Sequence, residues 1–293
     1  MPGGSGTVGL TGVTGHLGGR VVRRFVAAGR AAVLLARSPD KVTAPEGMEV
    51  RRCDYADPAG ATTALQGIDT LLMVSGSETP DRVDQHRAFI DAAGASGVGH
   101  LVYISFLGAA PDATFTLARD HWATEEHLRA SGLAHTILRD SLYADFLPSM
   151  VGPDGVLRGP AGTGRVAAVA QDDIADVATA VLLEPDAHAR QTYDLTGPEA
   201  LTLHEVARLV TEVTGRHTAY VPETVEEAYA SRASYGAPAW QVDAWVSTYL
   251  AIAAGELEAV SDDVPRLSGH PATSLRELLT RGSGDLRGDG TLS

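Results

Sequence analysis

The sequence predicts an α/β protein built on a doubly wound parallel sheet, with a smaller, mostly helical C-terminal part. Three observations predict it. Short apolar runs alternate with longer amphipathic stretches through the first half of the chain, the pattern of βαβ units. Four of the amphipathic stretches close on glycine, the residue that most readily ends a helix. The loop after the first apolar run reads Thr11-Gly12-Val13-Thr14-Gly15-His16-Leu17-Gly18, with a glycine at every third position.

Taken in order, strands are expected at Val8–Leu10, Ala32–Ala36, Glu49–Arg51, Thr70–Ser75, Leu101–Ser105 and His135–Leu138. The helices between them run Leu17–Ala28 to Gly29, Pro58–Leu65 to Gly67, Arg82–Ala95 to Gly97, and Arg119–Ala130 to Ser131-Gly132. The stretch 152–164 is rich in Gly and Pro and reads as a loop leading to a strand at 165–169. Asp172-Asp173-Ile174-Ala175-Asp176 is expected to cap a helix ending at Leu183. A strand at Thr192–Leu195 precedes a helix from Thr202 to Thr214, where Thr202 and Glu205 stand at capping-box spacing. From Val221 onward the chain reads as mostly helical, with Trp240, Trp245 and Tyr249 clustered. The Gly- and Asp-rich tail after Arg281 is expected to fray. The domain division that follows is 1–150 for the sheet domain, with 165–195 returning to it, 151–164 as a cleft loop, and 196–293 as the second domain.

Composition bounds the function. Of the 293 residues, 44% are hydrophobic and 20% charged, an ordinary globular balance. No apolar run approaches the roughly 20 residues of a membrane helix. The opening Met1-Pro2-Gly3-Gly4-Ser5-Gly6 is expected to be flexible and lacks the basic-then-apolar pattern of a secretory leader. Cys53 is the only cysteine, so no intrachain disulfide forms, and a cytoplasmic location is expected. A net charge of -14 disfavours nucleic acid and anionic membranes as partners. Lys41 is the only lysine beside abundant arginine, a coding bias without chemical meaning. The expected partner is a small molecule, and the chain is expected to be a monomer or homodimer.

Gly12-x-x-Gly15-x-x-Gly18 follows a strand and opens a helix, which is where the dinucleotide fingerprint of a Rossmann fold belongs. The first glycine permits the tight turn, the second lets backbone approach the pyrophosphate, and the third lets helix pack on strand. The helix N-terminus then offers its positive end to the phosphates. Arg37 ends the second strand, where an NAD-preferring site usually carries Asp or Glu. An arginine there pairs with a 2′-phosphate or is simply a solvated strand end; the first reading favours NADP(H), with NAD(H) the second choice. Asp54 is placed either to meet the adenine amino group or to close the turn Asp54-Tyr55-Ala56-Asp57.

These residues, with Ala36-Arg37-Ser38-Pro39, Asp54-Tyr55 and Gln66-Gly67-Ile68-Asp69, resemble the NmrA-like atypical short-chain dehydrogenase/reductases. Further segments are similar to the type 2 NAD(P)H:quinone oxidoreductases and the related triphenylmethane reductases: Ser75-Gly76-Ser77-Glu78, Gln85-His86-Arg87, His121-x-x-Thr124-Glu125, Ser131-Gly132-Leu133-x-x-Thr136-Ile137-Leu138-Arg139, and Gly269-His270-Pro271. The resemblance spans Thr7 to about Leu279. It implies a Rossmann domain with a smaller substrate domain. It implies cofactor contacts at Gly12, Thr14, Gly15, His16, Leu17, Gly18, Arg37, Asp54, Tyr55, Ser75, Gly76, Ser77, Glu78, Ser105, Phe106 and Leu142. Leu107, Trp122, Phe146 and Trp240 are expected to wall a substrate pocket, with Phe106, Trp245 and Tyr249 as further aromatic candidates, each also a candidate for plain core packing. No flavin or metal is expected.

Typical short-chain dehydrogenases use a Tyr-x-x-x-Lys pair, the tyrosine protonating the new alkoxide. By the same resemblance these positions are Leu117 and His121, so both groups are lost. A quinone or other extended conjugated acceptor tolerates that loss, because it spreads the incoming charge over its rings. Positioning then does most of the work. His121 is expected either to donate a hydrogen bond or proton to the developing oxyanion or to be structural, and Tyr143 either to orient cofactor or substrate or to pack. His86 and Arg87 read as structural. Three functions remain open: reduction of a quinone-like or polycyclic aromatic compound; oxygen-dependent hydroxylation of an aromatic polyketide through its reduced form, as a monooxygenase of antibiotic biosynthesis; and a non-catalytic NADP-sensing regulator.

Overall fold

The computed structural model describes residues 6–285. The expectations for the first five residues, and for the tail beyond 285, lie outside the described residues. The strands of the first half are β1 (Val8–Leu10), β2 (Val33–Ala36), β3 (Glu49–Arg52), β4 (Thr70–Met73), β5 (His100–Phe106) and β6 (Ala134–Asp140). The helices between them are α1 (His16–Ala27), α2 (Pro58–Ala64), α3 (Arg82–Ser96) and α4 (Thr116–Ala130). With β9 (Gln191–Leu195) these strands form one seven-stranded sheet in the order β3-β2-β1-β4-β5-β6-β9. The registered pairs β1–β2, β1–β4, β2–β3 and β4–β5 are all parallel. This is a Rossmann-like α/β fold, as the alternating pattern predicts.

The strand interiors are apolar at successive positions. Leu71, Leu72 and Met73 on β4 and the whole of β5 are buried, as a sheet covered on both faces requires. One core cluster joins Leu65, Ile68, Phe89, Ile90, Tyr103 and Ile137.

The second half holds β7 (Val156–Gly159), β8 (Arg165–Val166), α5 (Gln171–Leu183), β10 (Leu201–Thr202), α6 (Leu203–Thr214), β11 (Ala219–Pro222), α7 (Val225–Arg232), α8 (Ala239–Ala253), α9 (Asp263–Ser268) and α10 (Leu275–Asp285). Several expectations need correction. The stretch 152–164 is not all loop, because β7 pairs in parallel with β11, a strand 60 residues on that no local pattern reveals. The strand at 165–169 shortens to two residues paired antiparallel with β10. The start of α5 is served by Asp145, whose Oδ2 accepts from the Gln171 amide at 2.8 Å. Asp172 and Asp173 stand in the first turn of this helix, which ends at Leu183 as expected; Asp173 also accepts from the amide and hydroxyl of Thr273, and Asp176 pairs with Arg24 at 2.8 Å. The capping box of Thr202 and Glu205 is present.

The chain gathers into two compact units. One holds the chain up to Pro111 with Asp120–Arg139 and Ile174–Tyr193; the other holds Asp112–Arg119, Asp140–Asp173 and Asp194 onward.

Candidate functional site

In the first unit β1 lies between β2 and β4, so the chain winds away from it in both directions. Such a switch point opens a crevice at the carboxyl ends of the strands. The glycine loop fills that position. Gly12 has φ +66, and a Cβ on it would lie 2.9 Å from Val74 Cβ, so only glycine fits the turn. A Cβ on Gly18 would collide with the carbonyl oxygen of Gly12, so glycine there lets α1 pack directly on the loop. Gly15 is the N-cap of α1, its amide bonded to Gly12 O at 2.9 Å, and no side chain caps the helix. His16 and Leu17 form the first turn, with Leu17 buried.

Three strand ends are tied together beside this loop. Thr11 Oγ1 lies 2.8 Å from Tyr55 Oη and accepts from the Val74 amide at 2.9 Å. Tyr55 Oη donates to Val74 O at 2.7 Å, and its ring stacks on Phe89 with centroids 4.1 Å apart. Burial pushes the Tyr55 hydroxyl up, so it stays protonated. Tyr55 therefore builds the wall of the crevice.

The crevice is a cavity of about 410 Å³. It brings together Gly12, Thr14, Arg37, Asp54, Tyr55, Ser75, Gly76 and Ser77 from the residues the sequence singled out. It adds Ser38, Lys41, Thr79 and Gln85, which sequence reading missed. Arg37 and Lys41 are exposed, and among the described residues the structure records no ion pair for either. Asp54 Oδ1 accepts from the Ala56 amide at 3.1 Å, so the turn role is realised while its side chain still faces the cavity. Glu78 is exposed and is not in the lining.

Two buried histidines sit behind this cavity. The Gly76 amide donates to His86 Nε2 at 2.8 Å. His86 Nδ1 therefore carries the hydrogen and donates to Thr124 Oγ1 at 3.0 Å, whose own hydroxyl donates to Asp120 O. Burial, and then the Arg82 charge, lower the His86 pKa to about 3. His121 is similarly occupied. Arg82 Nη2 lies 3.0 Å from its Nε2 and Tyr103 Oη 2.9 Å from its Nδ1. A guanidinium can only donate, so Nε2 accepts and Nδ1–H points to Tyr103. Burial, then Arg82 and His86, hold His121 neutral well below its usual pKa. Arg82 Nη1 is 3.8 Å from Asp120 Oδ2.

This arrangement bears on the expected donor role of His121. Its one ring hydrogen is engaged with Tyr103, and the residue is 7% exposed. What the geometry displays is a brace beneath Phe106, whose ring centroid is 6.1 Å away. Leu117, one turn earlier on α4, is buried. Arg82 was not singled out from the sequence. The signal was there: Arg82, His86, Phe89 and Ala93 recur at helical spacing along the buried face of α3, and a charged residue on such a face needs a partner.

Ser105, expected at the cofactor, is fully buried and its hydroxyl donates to Glu125 Oε1 at 2.6 Å. Glu125, also fully buried, accepts from Arg139 at 2.6 and 2.8 Å and from Arg129 at 2.9 Å. The motif residues Glu125 and Arg139 thus lock the end of β5 to α4 and β6. Leu107 is buried. Trp122 is half-buried beneath the Arg129 guanidinium, 5.6 Å from its ring centroid.

In the second unit Tyr143 Oη donates to Asp140 Oδ2 at 3.0 Å, and its ring is 5.4 Å from Phe146. Phe146 is 46% exposed. Leu142 and Trp240 are half-buried, and Leu142 O accepts from the Val169 amide at 2.9 Å.

A family model described as NAD(P)H-binding matches residues 12–185. The chain is 35% identical over 280 residues to quinone oxidoreductase 2 of Escherichia coli (strain K12), covering 93% of this chain and 97% of that protein. The crystal structure of that NADPH-dependent quinone oxidoreductase complexed with NADPH superposes with a TM-score of 0.84, over 94% of this chain and 99% of that one, at 33% identity. The crystal structure of the Citrobacter sp. triphenylmethane reductase complexed with NADP(H) superposes with a TM-score of 0.83 at 30% identity, over 94% and 99%.

Proposed function

This chain belongs to the NAD(P)H-binding family, and from that membership we propose that it is an NADPH-dependent reductase of quinone-like aromatic compounds that works without flavin or metal. The observation that carries the proposal is the single cavity where the tight Gly12–Gly18 loop meets the cationic rim of Arg37 and Lys41.

Each part of that cavity fits a phosphorylated dinucleotide. The loop backbone and the uncapped start of α1 suit a pyrophosphate. The Arg37 fork, with Ser38 and Lys41 beside it, suits a 2′-phosphate. Asp54 stands at the same rim to accept from an adenine amino group. When bound, the reduced nicotinamide supplies the hydride. Gly76, held by His86, and Phe106, braced by His121, then keep the far strand ends rigid. The acceptor class rests on the relatives named as quinone oxidoreductase and triphenylmethane reductase, and on Leu117, which supplies no acid where an alcohol-forming enzyme needs one. On this reading His121 is a positioning group. Tyr143 and Phe146 are proposed to face the acceptor.

The test is NADPH consumption by the purified protein with a panel of quinones, run without and with oxygen. Reduced quinone formed anaerobically, one per NADPH, supports the proposal. Oxygen uptake matching NADPH with an oxygenated product would establish the hydroxylase instead. Tight NADPH binding with no turnover across the panel would establish the regulator.

A further inference from the structure

A cavity of about 840 Å³ lies wholly within the second unit. That volume falls in the ~300–1,000 Å³ range of small-molecule sites. Its walls are β7, the turn after Met150, the end of α7 and one face of α8. Trp245 and Tyr249 stand one helical turn apart on that face, and Tyr235 crosses Trp245 edge-on, 5.8 Å between centroids at 86°.

The aromatic wall is built, not incidental. A Cβ on Gly159 would collide with the Tyr249 ring, so the ring lies directly on the β7 backbone. On that ring sits the Arg232 guanidinium, 5.1 Å from the centroid. Arg232 is itself fixed by Glu223 at 2.9 Å, both groups being less than a tenth exposed, and by the carbonyls of Ala228 and Arg158. Its charge is therefore spent inside the fold. Tyr235, by contrast, is 70% exposed at the rim, an apolar ring left to water.

The available charge is Arg158. It lines the same cavity, and its partner is the exposed Asp154 at 2.7 Å, with side chains 42% and 49% exposed. Pairs in water are weakly held, so a ligand anion can take over the Arg158 fork at small cost. We propose that this cavity binds a planar aromatic compound of two or more rings carrying a carboxylate or phenolate, with its rings against Trp245 and Tyr235 and its acid group on Arg158. The inference goes beyond the cofactor reading and holds whether or not the bound compound is the one reduced.

The test is calorimetric titration of the full chain, without NADPH, with hydroxynaphthoate and with uncharged naphthol. Neither probe is a hydride acceptor, so failure of the reductase reading cannot mask the result. The expected outcome is one site, with hydroxynaphthoate at least ten-fold tighter than naphthol. Arg158→Ala should erase that preference and Arg158→Lys restore part of it. Trp245→Ala should weaken both ligands about ten-fold. Tyr235→Ala, at an exposed position that folding does not need, should weaken both in the same sense. Absence of binding, equal binding of the two probes, or binding unchanged in Arg158→Ala and Tyr235→Ala would overturn the proposal.

Discussion

Arg37 directly follows β2 with its side chain in solvent, next to Ser38 and Lys41 on the same cavity wall. The position just after β2 carries this arginine where an NAD-preferring site usually carries Asp or Glu, which is why NADPH is the expected cofactor. Replacing Arg37 by Ala should weaken NADPH binding by about 1–3 kcal/mol, and leave NADH binding nearly unchanged. Dissociation constants for both cofactors check this, and equal losses would refute the 2′-phosphate assignment. His86 makes a second residue-scale prediction. It accepts the Gly76 amide only while neutral at Nε2. His86→Phe leaves that amide without its partner, so KM for NADPH should rise about five-fold, in line with one lost hydrogen bond of ~1 kcal/mol, with a smaller change in kcat. An unchanged KM would show that the Gly76 loop needs no such tether.

At the scale of elements, the Glu125 cluster joins β5, α4 and β6 through Ser105, Arg129 and Arg139. Glu125→Gln would remove the carboxylate charge that Arg139, 19% exposed, now contacts at 2.6 Å. Stripping one member from a buried pair costs about 3–5 kcal/mol, so the midpoint of urea unfolding should fall sharply; a shift within error would mean water replaces the carboxylate. The elements themselves were largely legible. The strands and α-helices of the first half stand within a few residues of their sequence-based positions, because the central strands are apolar runs that can be read alone and each helix is followed by a glycine in the left-handed turn. β7 and β11 were not legible as a pair, since Val156–Gly159 becomes a strand only by meeting Ala219–Pro222. The same limit applies to the site. Gly12, Arg37 and Asp54 announce themselves by motif position. Arg82 and His86 act through partners on α4 and beyond β4, which only the fold brings near.

For the whole molecule, the first unit carries three histidines held neutral by burial. His86 is lowered to about 3, His100 to about 4, and His121 well below 6.5. In the unfolded chain each titrates near 6.5. Below that pH the unfolded state takes up protons that the folded state refuses, so unfolding gains ground. Stability from this source is therefore full above about pH 6.5 and is lost progressively as pH falls toward about 4. Calorimetric melting across that window should show Tm dropping with acidity, and His100→Asn should flatten the slope; a Tm independent of pH from 6.5 to 4 would contradict the neutral assignment.

The central proposal is that NADPH bound at the strand ends reduces a conjugated acceptor with no other cofactor. The most direct measurement is an anaerobic reaction of the flavin-free, metal-free chain with NADPH and a naphthoquinone, followed by the near-ultraviolet absorbance of the reduced nicotinamide. Its loss in one-to-one proportion with quinone reduced is expected, with a much slower loss with NADH. Binding of NADPH without any such loss, or loss only after a flavin is added, would contradict it.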